Sequence, residues 1–255
     1  MKVLITGLAA LAMACAVLSA ADDLQTNNDS LRAAVDGKKP PAEIKRLAVL
    51  VLTEAKKQMG PAPADGDKEN WDAHVKYAEQ VSEYAEYALY STSIGAPPAT
   101  QIDLISTLET QAPKSKYLTQ DAYLTVANAI LASQPDRAAA FAKKALTAPK
   151  GAKPELATAS AHWIVGVVAA NKKDWNTTDK ELRASLAGIK GTAALEGPAY
   201  YFLGEAVYAI GRQSMDRGQA DQGIKFMLQS ALINGQYQSG AAAEARRMKG
   251  EMGEK

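Results

Sequence analysis

The 255 residues are 47% hydrophobic and 22% charged, and 29 basic side chains against 28 acidic ones leave a formal net charge of +1. A chain so close to neutral lacks the positive footprint demanded by nucleic acids and by anionic membrane surfaces. The single cysteine, Cys15, lies near the N-terminus, so disulfides, thiol catalysis and Cys-based metal sites are excluded downstream of it.

The chain begins with a charged Lys2 followed by an apolar stretch from Val3 to Val17, and Ser19-Ala20-Ala21 then offers small residues for a cut before Asp22. We read residues 1–21 as a signal peptide. The mature protein is then exported, periplasmic or secreted. The stretch falls short of the roughly 20 residues that span a bilayer, and no later segment is long and apolar enough. No integral membrane segment is expected after cleavage. Cys15 leaves a rival reading open, a lipid anchor after cleavage behind Ala14, although Ala12 stands where such motifs usually carry Leu.

Asp22 to Asn28 reads as a loose leader, and Asp29-Ser30 caps a short helix ending at Asp36-Gly37. Ala42 to Met59 is a helix whose Leu47–Leu52 core, apolar all round, predicts burial between neighbours. The breakers of Gly60–Gly66 mark a linker, which divides residues 22–66, N-terminal helices and linker, from a repeat domain over 67–255. Helices follow over Lys68–Ser91, Ala99–Thr110, Thr119–Ala132, Arg137–Thr147, Glu155–Asn171 and Trp175–Gly188. A loop over Lys190–Pro198 precedes Tyr200–Arg217 and Ala220–Ile233, and Ser239 to about Glu251 is a polar capping helix. No strand is predicted.

One pattern recurs down these helices: Tyr84-x-x-Tyr87-Ala88, Tyr123-x-x-Val126-Ala127, His162-x-x-Val165-Gly166 and Tyr200-x-x-Leu203-Gly204. Its small residues stand at 88, 127, 166 and 204, in steps of 39, 39 and 38. A constant step of that size marks stacked supersecondary units, since one helical hairpin cannot bury its apolar face alone. The small residue lets two helices approach closely, and the aromatic one turn earlier fills the gap beneath.

These residues resemble the tetratricopeptide repeat. The positions His162, Val165, Gly166 and Ala169, then Tyr200, Leu203, Gly204 and Val207, follow its outgoing helix. Trp175, Leu182, Ser185 and Leu186 follow its return helix. The step is longer than the family's usual 34 residues, and the last unit carries two additional turns over Ile210–Arg217. The resemblance implies an all-α fold of antiparallel helical hairpins stacked as a short right-handed solenoid.

Chemistry is sparse. Only His74 and His162 are available as histidines for acid–base work, and they lack the His-x-x-x-His spacing of a metal site. His162 occupies the aromatic packing position, and His74 reads as a surface histidine. No nucleophile elbow, phosphate loop or paired catalytic carboxylates are legible, so the expectation is a non-enzyme without cofactor or metal. Asn28-Asp-Ser30 and Asn176-Thr-Thr178 fit the glycosylation triplet, which is common by chance and is given no role.

In tetratricopeptide arrays the outgoing helices line a concave groove that grips peptides. The resemblance nominates Asp121 and Asn128, then Trp163 and Asn171, then Tyr201, Glu205 and Tyr208 as a partner-binding groove. Trp163 and Tyr201 hold equivalent positions and are placed to stack side by side, unless the capping helix or the additional turns fill the groove. The family's clamp for a peptide carboxylate is not reproduced, because Val167 and Glu205 stand where further asparagines belong. Tyr87 and Tyr90 turn away from the buried stripe of their helix. They form either a recognition patch or a packing surface under Ala42–Met59. The resulting expectation is an exported scaffold that mediates protein–protein interaction in a bacterial envelope, its partner another protein or peptide. The alternative is an all-α binding module for a small or sugar-like ligand held in an aromatic pocket of Trp163 and Tyr201.

Overall fold

A computed structural model describes residues 23–61 and 68–253. The expected signal peptide, most of the linker and the last two residues lie outside the described residues. The described residues form eleven helices joined by turns and short irregular segments, with no strand among them, in the order α1 (23–36), α2 (Pro41–Gln58), α3 (Lys68–Ser93), α4 (Pro98–Gln111), α5 (Gln120–Ile130), α6 (Pro135–Thr147), α7 (Pro154–Asn171), α8 (Trp175–Ile189), α9 (Ala193–Ser214), α10 (Arg217–Leu232) and α11 (Gln238–Glu251).

Local chemistry sets most of these boundaries. Pro41, Pro98, Pro135 and Pro154 each open a helix, where the missing N–H costs nothing and φ is already helical. Three other helices begin on side-chain caps: Thr119 accepts from Ala122 N, Asp174 from Thr177 N and Asp216 from Gln219 N. Met215, in the left-handed region at φ 56°, closes α9 one residue before the Asp216 cap.

The helices fall into two compact units, divided between Leu118 and Thr119. In the first, α3 packs on α2 and α4, so the helices on either side of the expected 60–66 linker belong together. The helix α2 is one-sided, not apolar all round. Ile44, Leu47, Ala48, Val51, Leu52 and Ala55 are buried, while Leu50 is exposed. Residues 23–28, expected as a loose leader, are helical and place Leu24 and Asn28 in the core. The buried Asn28 is thereby removed as a glycosylation acceptor in the folded chain.

In the second unit each helix packs on its successor from α5 to α11, and the alternate helices α5–α7, α7–α9 and α9–α11 also touch. The small positions of the repeat lie inside their units: Ala88 and Ala127 are fully buried, and Gly166 and Gly204 are buried as well. A Cβ on Gly166 would come within 2.6 Å of the Leu182 side chain on α8. On α9, a Cβ on Gly204 would lie 3.0 Å from Met227 N, and one on Gly211 would lie 2.4 Å from Ala220 N. From the other side, a Cβ on Gly223 would lie 2.5 Å from Tyr208 N. Positions rising along α9 thus meet positions falling along α10, an antiparallel contact at backbone distance.

The aromatic half of the pattern is less uniform. Tyr123 is buried, but Tyr84, His162 and Tyr200 are only partly so. Tyr200 stacks on Phe226 at 6.1 Å. The expected 190–198 loop is also helical from Ala193, with Pro198 inside α9. Ser230 Oγ of α10 donates to the carbonyl of Gly197 at 2.8 Å and anchors this extra stretch.

Candidate functional site

The helices α5, α7 and α9 carry all seven nominated groove residues, but the fold uses them differently. Asn128 and Asn171 are exposed, on α5 and α7. Asp121 is partly buried, and its carboxylate accepts from Ala152 N at 2.9 Å, pinning the turn between α6 and α7. Trp163 donates its indole N–H to the Leu195 carbonyl at 2.9 Å and packs beside the Leu182–Leu203 core.

Tyr201, Glu205 and Tyr208 do gather, one helical turn apart on α9, but they meet α11 and its approach. The Tyr201 ring lies 5.0 Å from Tyr237 and 5.5 Å from Phe202. The side-by-side pairing of Trp163 with Tyr201 is replaced by this aromatic cluster. Tyr208 is a core residue at 5% exposure, packed with Ala220, Ile224, Met227, Ala241, Ala245 and Met248. Its hydroxyl donates to the carboxylate of Glu251 at 2.9 Å and lies 3.3 Å from the Met248 carbonyl.

Beside these residues is an open cleft of about 320 Å³, walled by Trp175 of α8, by Glu205, Tyr208 and Arg212 of α9, and by Glu244 and Arg247 of α11. Arg247 Nε donates to both Glu244 oxygens, at 2.9 and 3.0 Å, and its terminal nitrogens reach Glu244 and Glu251. This solvent-exposed network adds little stability by itself. Trp175 and the α11 charges were not among the nominated residues. The position of Trp175 at the head of a return helix, and the polarity of the cap, gave no groove signal.

Glu205 makes no ion pair among the described residues. Burial pushes its carboxyl above the ordinary glutamate range, and the nearby Glu244 adds to the rise while Arg247 opposes it. A carboxyl with a raised folded pKa holds its proton more tightly in the folded chain, so its contribution to stability falls as pH rises from the ordinary glutamate value through the folded one. Glu205→Gln is therefore expected to be more stable than the parent at about pH 7, with the difference vanishing toward about pH 4. Urea denaturation at the two pH values checks this. A variant no more stable at neutral pH would mean that the carboxylate is adequately solvated.

Comparison with protein-family models, curated proteins and solved structures returns no match for this chain. His162 Nδ1 sits 2.6 Å from Glu181 across the α7–α8 hairpin, a contact that joins two packed helices. His74 is partly buried on α3, not fully on the surface. Among the described residues no group of three or more His, Cys, Asp or Glu side chains is placed to hold a metal ion, and no helix is long and apolar enough to cross a membrane.

Proposed function

We propose that this chain is an exported, non-enzymatic tetratricopeptide-like scaffold that docks another protein in the bacterial envelope through the outgoing helices of its second unit. The observation that carries the reading is the lateral contact of α5, α7 and α9. Helices in lateral contact supply a surface continuous over several elements, which suits an extended or helical peptide. Asn128 and Asn171 are its exposed polar groups, with Trp163 partly exposed between them in sequence. The right-handed solenoid geometry and cleavage before Asp22 belong to the same proposal.

The small-ligand alternative draws its support from the cleft at Trp175 and Glu205, whose volume is at the lower end for ligand sites. Neither Trp163 nor Tyr201 lines it. Its charged walls are less apolar than such sites usually are.

An affinity capture from native envelope extract, read by mass spectrometry, tests the scaffold. Wild type is run beside an Asn128→Arg, Asn171→Arg variant whose exposed substitutions leave the fold intact, as circular dichroism verifies. A protein held by wild type and lost by the variant is the expected result. Equal capture by both, or none by either, would overturn docking through this face.

A further inference from the structure

We propose that the tyrosine ladder of the first unit is a docking surface for an arginine- or lysine-bearing segment of a partner protein, with the Tyr87 ring receiving the cation. Four rings form the ladder. Tyr84 lies 6.5 Å from Tyr87, Tyr87 lies 5.8 Å from Tyr117, and Tyr117 stacks on Tyr90 at 5.6 Å. Tyr87 and Tyr90 lie on the side of α3 away from its buried Ala85, Ala88 and Leu89, while Tyr84, one turn before Ala88, borders that stripe and is partly buried. Tyr117 comes from the segment after α4.

A packing role accounts for part of this arrangement. The stack of Tyr117 on Tyr90 fastens the 112–118 segment to α3. Tyr87 is left over, with 44% of its surface exposed in the middle of the ladder. A large aromatic ring kept in water between two other rings contributes little to the core it faces away from.

The ladder itself indicates what covers such a ring. Cations already sit on its flanks: the Arg32 guanidinium lies 4.3 Å from the centroid of Tyr84, and the Lys116 ammonium lies 5.3 Å from that of Tyr117. The negative face of a phenol ring attracts these groups. Tyr87, flanked by the two occupied rings, carries no cation of its own among the described residues. Glu83, one turn before it, is 58% exposed and paired with Lys116, and Glu86 lies beside it in sequence. With Glu83 held by Lys116, Glu86 is the carboxylate left without an ion pair next to the open ring among the described residues, complementary to a positively charged group on a partner. The chain's near-zero net charge makes bulk attraction of such a segment a minor factor, so binding would depend on this local chemistry.

The probe is an acetylated hexa-arginine amide, titrated into the chain with ring-labelled tyrosine at about 0.15 M salt, where exposed charges are screened beyond about 8 Å. The expected result is a saturable shift of the Tyr87 and Tyr117 ring resonances that hexaglutamate does not produce. Tyr87→Phe should keep the affinity, because the ring face remains. Tyr87→Ala should weaken it about two- to fivefold, the range for an exposed cation–π contact. A shift that does not saturate, equal affinity in Tyr87→Ala, or an equal response to hexaglutamate would each overturn the proposal. So would loss of binding in Tyr87→Phe, which would assign recognition to the hydroxyl.

Discussion

Gly223→Ala is expected to destabilise the second unit by about 1–3 kcal/mol, although it adds only one methyl group. In an ordinary helix interior the same change stabilises by about 0.5–1 kcal/mol, because alanine loses less backbone entropy on folding. Here the new Cβ would lie 2.5 Å from Tyr208 N and 2.8 Å from Tyr208 Cα. Both are backbone atoms of α9, so no rotamer change relieves the clash and the two helices have to separate. The internal control is Gly240→Ala on α11, where a Cβ meets nothing within 4 Å, and the usual helix gain should appear. Urea denaturation followed by far-ultraviolet circular dichroism measures both. If Gly223→Ala is neutral or stabilising, the backbone-distance packing of α9 on α10 is wrong. The glycines would then have to be explained by something other than close approach.

The legible part of the fold is the part written in local chemistry. Read as breakers, Pro41, Pro98, Pro135 and Pro154 bounded the expected helices to within two residues, and each is the first residue of its helix. The 38–39-residue spacing of Ala88, Ala127, Gly166 and Gly204 picked out positions that are all buried. Within the expected 190–198 loop, residues 193–198 are helical because tertiary contact wins: Gly197 and Pro198 are breakers by propensity, yet Gly197 is buried and bonded to Ser230, a partner thirty-three residues away. Ala194, whose carbonyl Pro198 cannot bond, is exposed to water. Tertiary anchoring there overrides a local signal.

The groove was legible only as a list of positions on outgoing helices. Periodicity places Tyr201, Glu205 and Tyr208 on one face of α9, but it cannot say that α11 meets that face, because a polar terminal helix has weak amphipathic pattern. Tyr117 was missed for a related reason: it sits in an irregular segment with no period to read, and its role comes entirely from rings on α3.

Tyr208→Ala is expected to cost about 3–5 kcal/mol, as removal of a buried aromatic side chain does, and to release α11 first. Tyr208 joins α9 to α11 through the packing of its ring against Ala241, Ala245 and Met248 and through its hydroxyl on Glu251. Those three apolar side chains are all that α11 buries, and they share one cluster with that ring and with Ala220, Ile224 and Met227 of α10. Trypsin should therefore cut at Arg246, Arg247 or Lys249 in the variant under conditions that spare wild type. Tyr208→Phe separates the two contributions. It keeps the ring and loses a hydroxyl contact worth about 0.5–1.5 kcal/mol. The hydrogen bond from Tyr208 also holds the Glu251 carboxyl below its ordinary range. A carboxyl with a lowered folded pKa stabilises above its unfolded value and loses that contribution as pH falls through the folded one. The stability gap between wild type and Tyr208→Phe should accordingly close on acidification. A Tyr208→Phe chain that keeps wild-type stability but loses partner capture would instead return Tyr208 to the groove as a ligand contact. That result would mean α11 is displaced when the partner binds.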